Sequence, residues 1–222
     1  MEEILTKCVL FAQIEPKVLP DLLKALGAIE KTYDAGEVLV LAGYALNRIG
    51  IVLSGTIEAA KVSANGDAFT ITQIGAGGIF GDVLAGSAAY KSPVCVTAHT
   101  QVRVLWISYE KLLAGGGAPA KAHTQMLKNL VAEISQKYFA LDRRIAVLML
   151  PRLREKIMYY LQNEAIQQPN GGMLTPFNRA ELAQYLGCER AALCREISRM
   201  RSEKQLKTSG RYFYFTPAET NL

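Results

Sequence analysis

Residues 178–211 hold eight basic and four acidic side chains, a net of +4. Arginine in such a cluster has specific uses, because its planar fork can bond two acceptors on a guanine edge or grip a phosphate. The local pattern suggests how the arginines are held. Asn178 stands three residues before Glu181, the spacing of a capping box. The helix it opens, Arg179–Leu186, is expected to end at Gly187, and a second, Glu189–Lys204, follows. Ala183, Gly187 and Leu193 stand at offsets of four and six. A small residue lets two helices approach, glycine takes the positive φ of a tight turn, and an apolar residue closes the core. That is a helix-turn-helix. On the second helix Leu193, Ile197 and Met200 face inward. Arg190, Ala191, Cys194, Arg195, Ser198 and Arg199 lie on or near the outward face. Arg190 and Arg195 are the candidate base readers; Arg199, Arg201 and Lys204 climb away from the helix start and suit phosphates. For any one arginine the alternative is a solvated charge or an intrahelical pair, such as Arg199 with Glu196. A β-hairpin, Leu206–Thr208 and Tyr212–Phe215, completes a winged motif whose implied partner is duplex DNA.

The rest of the chain must carry and position this motif. Its 222 residues suit one large domain or two small ones, at roughly 100–150 residues each. Half the residues are hydrophobic and a fifth charged, which is enough apolar material for a packed core. The formal net charge is +5, and residues 1–150 contribute only +1 of it, from 14 basic and 13 acidic side chains. The apolar run Ile145–Leu150 is far short of the ~20 residues of a membrane span. Met1-Glu2-Glu3 lacks a basic, then apolar, leader layout. Cys8, Cys95, Cys188 and Cys194 form no C-x-x-C pair and read as reduced thiols, with no metal site. These features describe a soluble cytoplasmic protein with no membrane partner.

Between Tyr33 and Ile107 the texture is β-like. Val38–Leu41, Ile49–Leu53, Thr56–Val62, Phe69–Ile74, Val94–Ala98 and Val102–Ile107 are separated by turn residues, including Asn65-Gly66-Asp67. Short strands with turns at ~8–12-residue spacing predict an antiparallel roll of about eight strands. Residues 1–30 carry helical patches instead. Gly115–Gly117 closes the roll. From Pro119 to Leu150 the period is helical, and Leu127, Leu130, Ile134, Lys137, Leu141, Arg144 and Leu148 alternate spacings of three and four. That is a coiled-coil seam, with two cations at apolar positions. Leu127, Leu130, Ile134, Leu141 and Leu148 are therefore the candidate dimer contacts; the alternative is a helix packed on its own roll. The expected fold is α+β, in three parts: a sensing β roll over 1–118, a dimerisation helix over 119–150 and a winged helix-turn-helix over 151–222. No P-loop, G-x-S-x-G or H-E-x-x-H motif is present. Gly75–Gly81 approaches G-x-G-x-x-G but has Phe80 at the third glycine and lies between β runs. No catalytic residues are assigned.

The order of these parts resembles the catabolite activator/fumarate–nitrate regulator family of bacterial transcription factors. The marks are Gly78-Ile-Phe-Gly-Asp-Val83, Ser92-Pro-Val-Cys-Val-Thr-Ala98, Val104-Leu-Trp-Ile107 and the run Arg179–Ile197. The resemblance implies a homodimer that senses an effector in its rolls, reads successive major grooves and meets RNA polymerase. In the family's cyclic-nucleotide-binding members, Arg-Ser stands ten residues after the glutamate of a Gly-Glu-Leu turn and holds the phosphate. Here Gly81-Asp82-Val83 is followed at that distance by Ser92-Pro93, which offers neither a cation nor, at Pro93, an amide. Lys91 is adjacent but would point to the other face of a strand. The family's adenine-contacting Thr-Ser pair aligns with Lys137-Tyr138. The expectation is an effector pocket of Gly81, Asp82, Val83, Lys91, Ser92, Pro93, Lys137 and Tyr138 that takes a small organic anion rather than cyclic AMP. A cyclic-nucleotide-responsive regulator of the same architecture is the alternative. The cysteine cluster of the oxygen-sensing members is missing, since only Cys8 precedes Cys95, and His99 and His123 are single. Neither an iron–sulfur cluster nor haem is expected.

Overall fold

A computed structural model describes residues 2–62, 68–85 and 91–216. The N-terminal segment forms α1 (Glu2–Lys7), two 3-10 turns (Val9–Phe11 and Pro16–Val18) and α2 (Leu19–Ala25). Eight strands follow: β1 (Ile29–Tyr33), β2 (Val38–Val40), β3 (Arg48–Ser54), β4 (Ile57–Val62), β5 (Ala68–Ile74), β6 (Ile79–Phe80), β7 (Cys95–Ala98) and β8 (Val102–Ser108). They form two antiparallel four-stranded sheets, ordered β1-β8-β3-β6 and β2-β7-β4-β5.

Strand alternation divides the first sheet's side chains between two cores. Ile49, Ile51, Leu53, Leu105 and Ile107 face a cluster with Leu5, Leu10, Phe11, Leu19, Leu22 and Leu26 of the N-terminal segment. Val52, Val102, Val104 and Trp106 face the second sheet, meeting Val40, Ile57, Ala59, Val96 and Ala98. Trp106 Nε1 donates to the Tyr33 hydroxyl at 3.0 Å inside this second core. The β3–β4 turn is steered by Gly55, whose φ is +80°. A Cβ there would lie 2.2 Å from the Gln101 carbonyl oxygen, so no other residue fits without backbone movement.

The expected eight-strand roll is present, with differences in detail. β1 straddles the end of the stretch read as helical (1–30) and the start of the β-like texture at Tyr33; four of its five residues are exposed, so the alternation that marks a strand is absent. Two short helices were not expected: α3 (Asp82–Ala85) and α4 (Tyr109–Ala114). Ser108 caps α4 by accepting from Lys111 N at 3.3 Å, and Gly115 ends it. The turn at Asn65-Gly66-Asp67 lies outside the described residues.

Helix α5 runs from Ala120 to Met149, 30 residues. Pro119 sits just before it, its carbonyl accepting from His123 N. Then come α6 (Leu153–Asn163), the two-residue strands β9 (Ile166–Gln167) and β10 (Met173–Leu174), α7 (Arg179–Leu186), α8 (Arg190–Ser202), β11 (Leu206–Ser209) and β12 (Tyr212–Phe215). The last four strands make one sheet, ordered β11-β12-β10-β9. The chain forms two compact units, Met1–Gln136 and Lys137–Leu222. The boundary falls within α5, so the segment 119–150 contributes residues to both units. Among the described residues, no helix is long and apolar enough to cross a membrane.

Candidate nucleic-acid interface

The capping box is formed in full. Asn178 Oδ1 accepts from Ala180 N at 2.9 Å and Glu181 N at 3.0 Å, and Asn178 N donates to Glu181 Oε2 at 2.7 Å. Gly187 ends α7 at φ +66°, and a Cβ there would stand 2.7 Å from Leu148 Cδ2. Leu193, Ile197 and Met200 of α8 are buried with Leu182, Ala183, Leu186, Leu206 and Phe213. This core fixes which side of α8 looks outward.

Opposite it stand Ala191, Arg195, Ser198 and Ser202, at spacings of four, three and four, all exposed. Arg190, Arg199 and Arg201 flank them and are exposed; Cys194 is half-buried. One expected position shifts. Lys204 lies beyond the end of α8, in a left-handed turn at φ +56°, so it does not extend the helix.

The carboxylates of α8 are engaged away from this face. Arg154 of α6 donates from Nε to Glu196 Oε1 at 2.6 Å and from Nη1 to Glu203 Oε2 at 2.5 Å. Arg199 Nε reaches Glu203 Oε1 at 3.1 Å, so its acidic partner is Glu203 and not Glu196, which Arg154 has claimed. Hydrogen bonding from Arg154 holds the Glu203 carboxyl below its ordinary range, and the pairing raises the Arg154 guanidinium further. A carboxyl depressed in the folded state stabilises the fold above its unfolded pKa and loses that effect as pH falls through the folded value. Arg154→Met is therefore expected to lower the urea midpoint at neutral pH. Its curve should approach that of the unmodified chain as pH falls below the ordinary glutamate range and meet it only below the depressed Glu203 value.

Three contributors were missed at the level of sequence. Ser202, Lys207 and Thr208 line a cleft of about 450 Å³ with Ser198, Arg201 and Leu206, where α8 meets β11. Two cations and three hydroxyls there suit a phosphate. The alternation of Leu206-Lys207-Thr208 along a strand was the signal. Arg179 is half-buried: its Nη2 donates to Gly210 O at 3.2 Å and its guanidinium lies 4.6 Å from the Phe213 ring. It ties the hairpin turn to the start of α7.

The expected seam on α5 divides. Leu130 is buried in the chain's own core, with half-buried Leu127 and Ile134 packed against it, so Leu130 is not free to meet another chain. Of the exposed large apolar residues of α5, Val131, Tyr138, Leu141, Ile145 and Leu148 fall on one stripe, and Phe139 and Met149 lie off it. With half-buried Ile134 the stripe residues repeat at spacings of three and four, without a cation among them. Lys137 and Arg144 therefore flank the seam instead of interrupting it. An apolar-rich helix supports two heptad registers that share Ile134, Leu141 and Leu148, and the burial of Leu130 beside exposed Val131 tells them apart.

Of the expected effector residues, Gly81, Asp82 and Val83 join β6 to the first turn of α3; Asp82 is buried and Val83 exposed. Lys91 and Pro93 are exposed in the segment leading to β7, which is not itself a strand, so the face argument for Lys91 does not apply. Ser92 is buried, and its hydroxyl donates to Val94 O at 2.7 Å and accepts from Val94 N at 3.3 Å. Lys137 is half-buried and Tyr138 exposed on α5. Among the described residues no group of three or more His, Cys, Asp and Glu side chains could hold a metal ion.

Residues 30–114 match the cyclic nucleotide-binding domain family. The chain is 24% identical over 184 residues to the cAMP-activated global transcriptional regulator CRP of Haemophilus influenzae, covering 81% of this chain and 80% of that one. The chain carries a cyclic nucleotide-binding domain and is similar to this CRP over most of its length. Two solved structures agree in fold. The catabolite activator protein of Thermus thermophilus superposes with a TM-score of 0.53 at 17% identity, covering 93% of each chain. The c-di-GMP-responsive global regulator CLP of Xanthomonas campestris gives 0.56 at 16% identity, covering 92% of this chain and all of that one. Residues 30–114 thus form a cyclic nucleotide-binding domain, and the relative and both solved neighbours are regulators.

Proposed function

We propose that the chain is a homodimeric, sequence-specific duplex-DNA-binding regulator that sets α8 into the major groove and meets RNA polymerase when bound. The observation that carries this reading is the outward face of α8: exposed arginines and hydroxyls, with the helix's carboxylates Glu196 and Glu203 held by Arg154. Arg190 and Arg195 reach base edges from the first turns, while Arg199, Arg201 and Lys204 meet phosphates. The exposed seam Val131–Leu148 supplies the second copy's docking face. Selection from a random duplex pool tests the reading: the purified chain should enrich a two-fold symmetric sequence.

The effector is a small organic anion, with Lys137 as the candidate cationic contact and Tyr138 as its aromatic neighbour. Ser92 supports this reading, because its hydroxyl is spent on the Val94 backbone and Pro93 has no amide to offer a cyclic phosphate. The second reading, a cyclic-nucleotide-responsive regulator, is favoured by the domain match over 30–114 and by the relatives named for cAMP and c-di-GMP. Isothermal titration separates the two. Cyclic AMP, cyclic di-GMP and a panel of phenolic and carboxylic acids are titrated into the unmodified chain and Lys137→Met. An acid should bind the unmodified chain and lose about tenfold or more in the variant, the size of one charge-assisted hydrogen bond. Equal binding to both would remove Lys137 from the site. Binding of a cyclic nucleotide alone would establish the second reading.

A further inference from the structure

We infer that the half-site read by α8 is a guanine adjoining a base with a 5-methyl group, with Ala191 as the residue that selects the methyl. The inference rests on the DNA-binding reading above. It follows from what the outward face of α8 offers and what it lacks. Ala191 and Arg195 are exposed one turn apart, directly opposite the buried Leu193, Ile197 and Met200. N-terminal residues of a recognition helix meet base edges, so this pair lies at the groove floor. Arg195 supplies a forked donor, matched to guanine O6 and N7. Ala191 supplies only a methyl group, which makes apolar contact with the 5-methyl of thymine and forms no hydrogen bond to any base.

The acceptors that would read cytosine N4 or adenine N6 are withheld. Glu196 and Glu203, the carboxylates within and just past α8, are fastened to Arg154 on the opposite side. Glu189 is the N-cap residue, before the helix begins. The exposed positions of the first two turns carry no Asn, Gln, Asp or Glu. A cytosine amino group facing Ala191 would be desolvated without an acceptor, while a thymine methyl would be buried against a methyl. Discrimination at this base pair therefore combines apolar contact with the unpaired amino group, and 5-methylcytosine should bind more weakly than thymine but better than cytosine.

The experiment uses the full chain and the duplex it enriches from a random pool. Each thymine of the half-site is replaced in turn by deoxyuridine, which removes the 5-methyl alone. At one position per half-site, affinity should fall about fourfold, the value of one buried methylene. Ala191→Gly should bind the thymine duplex more weakly and show no difference between thymine and uracil there. Ala191→Glu, which restores an acceptor, should shift the preference at that base pair to cytosine. Loss of the thymine–uracil difference at every position in the unmodified chain, or its persistence in Ala191→Gly, would overturn the inference while leaving DNA binding intact. Failure to enrich any duplex would overturn the DNA-binding reading itself, and this inference with it.

Discussion

Arg195→Ala is expected to weaken binding to the selected operator by about 1–3 kcal/mol per half-site, and to relax the base preference at one position in each. Two copies act on one operator in the proposed dimer, so the whole-site loss is about 2–6 kcal/mol, or about thirtyfold to twenty-thousandfold. Arg195 lies outside the core that holds α8, so the thermal midpoint of the variant should not move. Fluorescence anisotropy across single-base variants of the operator reads both effects. An affinity loss equal on all sequences would reassign Arg195 to a phosphate. Arg199 stands in contrast: it shares Glu203 with Arg154, and its removal should weaken specific and nonspecific duplexes alike.

Leu141→Asp is expected to convert the dimer to a folded monomer. Leu141 is 58% exposed in the single chain, so a carboxylate there costs the isolated fold little. In a two-fold interface the substitution acts twice and places two like charges in an apolar seam. Burying one leucine side chain is worth about 1.5–3 kcal/mol. Sedimentation velocity should show the halved mass with an unaltered helical spectrum. Leu130→Ala is the contrasting variant. Leu130 is buried in the first unit's core, so its truncation should cost about 2–5 kcal/mol of stability and leave association unchanged while the chain is folded.

The helix-turn-helix was legible in the sequence because it is specified locally. Asn178 and Glu181 make a cap within four residues, Gly187 marks the turn, and Leu193, Ile197 and Met200 repeat at helical spacing; the helix bounds follow to within about two residues. The roll's longer strands were legible for a similar reason, since β3 and β8 place apolar residues on both faces between two cores. β1 was not, because its residues are mostly exposed and its strand conformation is imposed by pairing with β8. The α5 seam was half legible. Its period is in the sequence, but its register depends on which side of the helix the chain's own roll covers. The engagement of Glu196 by Arg154 joins residues 42 apart and carries no local signal; the intrahelical Glu196–Arg199 pair was the only one spacing could suggest. The cleft of Ser202, Lys207 and Thr208 likewise exists only once β11 packs beside α8.

The central claim is that two copies of α8, held by one dimer, read one face of a duplex. It is tested most directly by changing the spacing of the half-sites. Recognition helices related by a two-fold meet successive major grooves about 34 Å apart, one helical turn. Binding is measured on the selected operator and on the same operator with about five base pairs, half a turn, inserted at its centre. The insertion should reduce affinity to that of a single half-site, and the native complex should contain two chains per duplex. Equal affinity for both duplexes, or one chain per duplex on the intact operator, would contradict the account.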